Sequence, residues 1–237
     1  MSGTKRSLAI GGAILAIVLV LLLWPSKYSR VANLDSRGSN IIAFGDSLTA
    51  GYGASAGEDY PSRLSILTGS TIINAGVSGD TTDEALARLD TDVLAHDPRI
   101  VIVGLGGNDY LRSVPISATE ANLRAIIHKI HVAHAMVVLL GFRFPSLSVN
   151  YEDMYERVAG EERCLLVPKI LSGILTDPSL KSDEVHPNAR GYQLIAERVA
   201  GPLQKLIRKA GGARPPRTAL FSQPRAARAP DRYVQAR

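Results

Sequence analysis

Five short apolar runs constrain the fold of this chain more than any other feature. The runs are continuous in Ile, Val, Leu and Ala rather than alternating with polar residues, which is typical of strands buried on both faces. Helical patterns separate the runs, so we predict an α/β fold, a parallel sheet with helices on both of its faces. The predicted strands are 41–44, 71–75, 100–104, 136–141 and 164–167.

Three of the predicted helices have recognisable starts. Thr81-Thr82-Asp83-Glu84 has the form of a capping box and predicts a helix that begins there. Ser117-Ala118-Thr119-Glu120 has the same form and predicts a helix over 121–134. The last helix follows Pro187 and ends before Gly211. Its apolar stripe consists of Tyr192, Ile195, Val199, Leu203 and Leu206.

Polar and glycine-rich residues follow four of the predicted strands. They form the stretches 45–47, 76–80, 105–109 and 183–187. In open parallel sheets, ligands bind outside the carboxyl ends of the strands. These four stretches are therefore candidates for one functional site at that edge of the sheet.

The residue types at this edge fit nucleophilic catalysis. A serine hydroxyl becomes a good nucleophile only when a base takes its proton. Ser47 is the candidate nucleophile and His186 the candidate base. Asp183, three residues earlier, can orient the imidazole and stabilise its charged form, whereas Glu184 lacks that offset. The structural alternatives are that Ser47 caps a helix or makes a turn, and that Asp183 caps the last helix.

Candidate donors for an oxyanion lie in the same stretches. Attack on a carbonyl creates a negative oxygen, which needs hydrogen-bond donors already in place. The backbone N–H groups of Ser47 and Gly79 and the side-chain amide of Asn108 are the candidates. Gly79, Gly106 and Gly107 would let the backbone approach a substrate without a Cβ in the way. Asn108 as a turn residue and Gly79 as a loop glycine are the alternatives.

Two carboxylates at this edge have a structural interpretation. Asp46 and Asp109 stand beside the candidate nucleophile and the candidate amide donor. We expect both to fix their loops through hydrogen bonds.

Together, these motifs resemble the signature of the SGNH, or GDSL, hydrolases. The motifs are Gly45-Asp46-Ser47-Leu48, Gly79, Gly106-Gly107-Asn108-Asp109 and Asp183-x-x-His186. The resemblance covers residues 40–210 and is greatest to the bacterial thioesterase I/lysophospholipase/arylesterase branch. It implies a three-layer α/β/α, flavodoxin-like domain whose five parallel strands have the order 2-1-3-4-5. It also implies Ser47, Gly79, Asn108 and His186 as the four signature residues, with no metal and no cofactor.

Other enzyme classes and a metal site lack their motifs in the required context. An α/β-hydrolase needs Gly-x-Ser-x-Gly at a nucleophile elbow directly after a strand, and no predicted strand leads directly into such a pattern. A Rossmann domain needs Gly-x-Gly-x-x-Gly directly after the first strand, but Gly51-Tyr52-Gly53 comes too late. His128, His131 and His134 recur every third residue, yet no carboxylate or cysteine cluster completes a metal site. We expect a solvated helix face there.

The positive charge is confined to the two ends of the chain. The net charge is +5, but residues 1–30 contribute +4 and residues 211–237 contribute +5, which leaves −4 between them. A nucleic-acid-binding domain carries positive charge on a folded face, so the distribution argues against a nucleic-acid partner. The single cysteine, Cys164, excludes an internal disulfide, and its apolar neighbours predict a buried, inert thiol.

An uncharged apolar stretch over residues 7–24 predicts a membrane anchor. As a helix it would span about 27 Å, just enough for a bilayer core. A cleaved signal peptide is the main alternative and a buried helix another, although no Ala-x-Ala pattern follows. The catalytic domain is then expected on the periplasmic or extracytoplasmic side, or secreted after cleavage.

The rest of the chain divides at changes in composition. The predicted units are an anchor with its flanks (1–30), a linker (31–39), a hydrolase domain (40–210) and a disordered basic tail (211–237).

These inferences predict a serine esterase that hydrolyses acyl esters or thioesters. An anchor at the membrane favours lysophospholipids or other lipid-like esters as substrates. Deacetylation of a cell-envelope carbohydrate by the same residues is one alternative. A non-catalytic interaction module that keeps the fold is a second.

Overall fold

The computed structural model describes residues 26–143 and 148–211, without the side chains of residues 148–150. The predicted anchor at 7–24 and the predicted tail beyond Gly211 lie outside these residues. Within them, no helix is both long enough and apolar enough to cross a bilayer.

A five-stranded parallel sheet forms the centre of the domain. Its order is β2-β1-β3-β4-β5, as the resemblance implied, and all four neighbouring pairs are parallel. The five predicted runs are thereby confirmed as strands. Their bounds are β1 Asn40–Gly45, β2 Ile72–Gly76, β3 Pro98–Gly104, β4 Met136–Leu140 and β5 Leu165–Val167.

Seven helices are present in the described residues. They are α1 Ser47–Ala50, α2 Tyr60–Thr68, α3 Thr82–Asp92, α4 Gly107–Leu111, α5 Ile116–Val132, α6 Ser148–Glu161 and α7 Ala189–Lys209. The longer helices pack in two groups, with α2 against α7, and with both α3 and α6 against α5. The central strands β1, β3 and β4 are buried almost throughout, so helices cover both of their faces. Short 3₁₀ turns cover Lys27–Arg30, Leu94–His96 and Pro178–Leu180.

Strand β2 differs from the expectation of burial on both faces. Only Ile72 of its five residues is buried. The reason is its position, because β2 is an edge strand and pairs with β1 alone. Its apolar run reflects strand propensity as much as burial.

One of the two predicted capping boxes is confirmed. The Thr81 hydroxyl accepts the Glu84 N–H, and the Glu84 carboxylate accepts the Thr81 N–H, so both ends of the box are closed. The second box is wrong. Helix α5 begins at Ile116, directly after Pro115, and Ser117–Glu120 lie inside its first turns. Pro115 is the N-cap, and its carbonyl accepts the first bonds of the helix, from the N–H groups of Ala118 and Thr119.

The apolar stripe of the last helix is confirmed. Tyr192, Ile195, Val199, Leu203 and Leu206 are all fully buried. The half-buried Cys164 fits the prediction of an inert thiol, because burial raises its pKa well above the usual range.

Residues 31–39, which the sequence predicts as a linker, make contacts with the rest of the domain. The Val31 side chain is buried. The Asn33 amide donates to the carbonyls of His131 and Ala135, just at the end of α5. These contacts tie the segment to residues 131–135, which lead from α5 into β4.

Candidate active site

Ser47 stands at the point where β1 ends and the short helix α1 begins. The Asp46 side chain accepts the Leu48 N–H at 3.0 Å and caps that helix. Gly45 has no room for a side chain, since an added Cβ would lie 2.5 Å from the carbonyl oxygen of Gly104 on β3. This tight junction fixes the position of Ser47 relative to the strand ends.

Ser47, His186 and Asp183 form one hydrogen-bonded chain, although Ser47 is 139 residues from the histidine. Ser47 Oγ lies 2.9 Å from His186 Nε2, and His186 Nδ1 lies 2.7 Å from Asp183 Oδ2. The structure thus brings together the three residues that the sequence predicted as nucleophile, base and orienting acid. The neighbouring Glu184 is exposed to solvent.

Asp183 is held as a carboxylate by more than the imidazole. Its Oδ1 accepts the backbone N–H groups of Val185 and His186 at 2.9 and 2.8 Å. Burial raises the pKa of Asp183, but these donors and the His186 ring outweigh it, so the net pKa is lowered. An ionised Asp183 favours a proton on Nδ1 and leaves the Nε2 lone pair directed at Ser47.

The turn that carries Asp183 and His186 is anchored at both of its ends. The Ser182 N–H donates to the His186 carbonyl at 3.0 Å. Asn188 caps α7 and also donates to the carbonyls of Ser179 and Lys181. The cap of α7 is therefore Asn188, and Asp183 is free of that structural role.

The loops of Gly79 and Asn108 are joined to each other beside Ser47. The Asn108 amide donates one of its two N–H groups to the Asp80 carbonyl at 2.9 Å. Gly79 has a positive φ of 94°, a backbone conformation that favours glycine. Among the described residues, the N–H groups of Ser47 and Gly79 have no hydrogen-bond acceptor. Both amides and the second Asn108 N–H are therefore available as hydrogen-bond donors.

Gly106 packs closely against a buried tyrosine. An added Cβ there would lie 2.4 Å from the Tyr155 hydroxyl, which donates to the Leu105 carbonyl at 2.7 Å. The glycine leaves room for this tyrosine.

Asp46 and Asp109 are buried and fix loops, as predicted. Asp109 accepts the Thr82 N–H, the Thr82 hydroxyl and the Thr119 hydroxyl, and so links α3, α4 and α5. Burial raises the pKa of Asp46 to about 7, and the nearby charges of Asp80 and Asp109 contribute to the rise, against the Leu48 N–H.

Sequence reasoning missed two residues at this edge. The Tyr52 ring lies 4.5 Å from the His186 ring and is 55% exposed. Arg88 of α3 donates to carbonyls at the ends of both β1 and β2. One sequence sign could have identified Arg88. It is a charged residue on the apolar face of its helix, three positions after Ala85 and one before Leu89, both of which are buried.

The fold is an α/β domain with five parallel strands, and the hydrogen-bonded chain at the edge of its sheet has the residue types of a Ser-His-Asp triad. A family model described as "GDSL-like Lipase/Acylhydrolase family" matches residues 43–194. The chain belongs to this family of ester hydrolases.

Known relatives agree with this assignment. The chain is 34% identical to "Thioesterase 1/protease 1/lysophospholipase L1" of Escherichia coli K12 over 199 residues, 81% of this chain and 91% of the relative. It is 35% identical to an arylesterase of Vibrio mimicus over 176 residues, 70% of this chain and 88% of that one. The crystal structure of TesA superposes with a TM-score of 0.67 at 28% identity, covering 71% of this chain and 99% of TesA.

Proposed function

We propose that this protein hydrolyses acyl esters or thioesters through an acyl-enzyme formed on Ser47. The observation that carries the proposal is the continuous chain from Ser47 through His186 to Asp183, with separations of 2.9 and 2.7 Å. Two relatives named as a thioesterase/lysophospholipase and as an arylesterase support this class of substrate.

The first half-reaction acylates the serine. Ser47 Oγ attacks the carbonyl carbon while His186 Nε2 takes the hydroxyl proton. The carbonyl oxygen becomes an oxyanion, which accepts hydrogen bonds from the Ser47 and Gly79 N–H groups and the Asn108 amide. When the tetrahedral intermediate collapses, the C–O or C–S bond to the leaving group breaks. The leaving group takes the proton from His186.

The second half-reaction frees the serine. His186 Nε2 takes a proton from water, and the resulting hydroxide attacks the acyl carbon. The same donors hold the second oxyanion. Collapse breaks the bond to Ser47 Oγ, which recovers its proton from His186, and the carboxylic acid is released. Asp183 stays ionised and stabilises the imidazolium in both halves.

Exposed apolar side chains around the site support an apolar acyl or aryl group. They lie in the segments that follow β1, β2 and β3 and directly beside His186, and they are Tyr52, Val77, Leu111 and Val185. Burial of such side chains by a substrate contributes roughly 25 cal/mol for each Å² of apolar surface removed from water. We therefore propose lysophospholipids and other lipid-like esters as substrates.

The test is a chain-length series of p-nitrophenyl esters, from acetyl to palmitoyl, with the full-length protein in detergent. Activity should be present in the wild type, absent in Ser47→Ala, and greater on medium or long acyl chains than on acetyl. No Ser47-dependent hydrolysis of any ester would contradict the proposed chemistry. Strict preference for acetyl would contradict the lipid-like substrates and would favour deacetylation.

We also propose that residues 7–24 anchor the enzyme, with the domain on the periplasmic or extracytoplasmic side. Support comes from the length and composition of that stretch alone. Full-length protein should sediment with membranes after a high-salt wash, and added protease should digest its domain in spheroplasts. Recovery in the salt wash, or protection from protease, would contradict the proposal.

A further inference from the structure

The guanidinium of Arg88 lies beneath the edge of the sheet that carries the candidate site. Its Nη2 donates to the Gly45 carbonyl and its Nη1 to the Ala75 carbonyl, each at 3.0 Å. These oxygens stand near the ends of β1 and β2, two residues before Ser47 and four before Gly79. The guanidinium also stacks on the Phe44 ring, with a distance of 4.5 Å to its centroid.

The same guanidinium holds the loop that carries Gly79. Arg88 Nε donates to Asp80 Oδ2 at 2.5 Å, and the Asp80 carbonyl accepts the Asn108 amide. A further bond from Arg88 Nη1 reaches Asp92 on the same helix. One side chain therefore connects the strand that ends at Ser47 with the loop of Gly79 and, through Asp80, with Asn108.

The charges make this connection difficult to replace. The side chains of Arg88 and Asp80 are only 16% and 10% exposed, so each would be a poorly solvated charge without the other. Burial raises the pKa of Asp80, and the hydrogen bond and charge of Arg88 oppose that rise. Without Arg88, Asp80 would have to turn toward water or take up a proton, and the bond that holds the loop next to Gly79 against α3 would be lost.

We propose that Arg88 is a positioning residue that sets the distance between Ser47 and the oxyanion donors of Gly79 and Asn108. This inference rests on the proposed function. The role proposed for Arg88 differs from a role in folding alone. The arginine joins the ends of β1 and β2 to the Gly79 loop, and the Gly79 N–H has to reach the reacting oxygen. Displacing such donors by 1 Å lowers turnover by up to about 100-fold.

The experiment compares Arg88→Gln with Asp80→Ala and with a matched control, Arg124→Gln. Asp80→Ala removes the loop end of the pair and keeps the Arg88 bonds to the strand carbonyls. Arg124 is likewise a helical arginine that pairs with several carboxylates, Glu120, Glu161 and Glu162, and none of them belongs to the site. Rates are measured per active site, counted with a fluorophosphonate, so loss of folded protein does not count as loss of turnover.

Arg88→Gln and Asp80→Ala should each lower kcat by about 10- to 100-fold with little change in KM, because the donors act on the transition state. The inhibition constant of an alkylboronic acid, whose adduct with Ser47 is tetrahedral, should rise by the same factor in both. Arg124→Gln should keep the wild-type values.

Two results would overturn the proposal, and they are distinguishable. An active wild type with unchanged kcat per site in both Arg88→Gln and Asp80→Ala would show that the bonds from Arg112 to Gly79 and from Asn108 to Asp80 are sufficient to hold the loop. A wild type without Ser47-dependent hydrolysis would overturn the proposed function, and with it the role given to Arg88.

Discussion

Replacing Asp183 by asparagine tests the proton path most sharply. The carboxylate accepts three N–H groups, from the His186 ring at 2.7 Å, the His186 backbone at 2.8 Å and the Val185 backbone at 2.9 Å. An asparagine keeps the size of the side chain. Its oxygen can still accept the two backbone N–H groups, so the turn is expected to keep its shape.

The amide group of the asparagine would then face His186 Nδ1. An NH₂ donor requires an acceptor, so the ring would carry its proton on Nε2 instead of Nδ1. The nitrogen at 2.9 Å from Ser47 Oγ would no longer be able to accept the serine proton. The wrong tautomer in such a chain lowers kcat by about 10⁴-fold. This factor corresponds to an increase of about 5 kcal/mol in the activation free energy.

The assay is hydrolysis of p-nitrophenyl butyrate at pH 8, with folding checked by circular dichroism. Glu184→Gln is the matched control, because it removes the neighbouring carboxylate, which is exposed and lacks the three-residue offset. Glu184→Gln should retain the wild-type kcat. Asp183→Asn within tenfold of the wild type, or equal losses in both variants, would refute the assignment of Asp183.

Three further predictions follow from individual contacts. Asn108→Ala should lower kcat by about 10²–10³ while the protein stays folded, and an unchanged kcat would remove Asn108 from the oxyanion site. Gly106→Ala adds a Cβ 2.4 Å from the Tyr155 hydroxyl, at a φ of 110°. Urea unfolding should show that the free energy of unfolding falls by about 1–3 kcal/mol. An unchanged free energy of unfolding would contradict the packing described. Burial raises the pKa of Asp46 from 3.8 to about 7 in the folded protein. As pH rises, Asp46 therefore loses its proton in the unfolded chain near pH 4 and in the folded protein only near pH 7. Between these values the free energy of unfolding should fall as pH rises. Asp46→Asn keeps the helix cap, so its free energy of unfolding should fall less over that range; an equal fall in both proteins would be evidence against the raised pKa.

The sheet and the principal side chains of the site could be predicted from sequence because each is marked locally. A buried strand is an apolar run, and a residue that follows a parallel strand lies at the same edge as those that follow its neighbours. Ser47 and Asn108 each follow such a run, and His186 stands before the amphipathic helix α7. The capping box at Thr81 has all its partners within four residues, so its pattern was sufficient to predict the start of α3.

The features that were missed depend on contacts whose partners no local pattern identifies. Arg88 binds backbone carbonyls, which every residue has, so nothing in the sequence identifies Gly45 and Ala75 as its partners. Residues 31–39 have no periodicity, yet Asn33 binds carbonyls about 100 residues away. The box at 117–120 failed because Pro115 starts the helix first, which leaves Thr119 to bond with the buried Asp109.

The central claim is that Ser47 is the nucleophile, and mapping a covalent adduct tests it most directly. Full-length protein would be treated with a fluorophosphonate, digested and analysed by tandem mass spectrometry, beside Ser47→Ala. The account predicts one phosphonyl group per chain, on Ser47, and no adduct in the variant. An adduct on another residue, equal labelling of the variant, or an unlabelled wild type would contradict it.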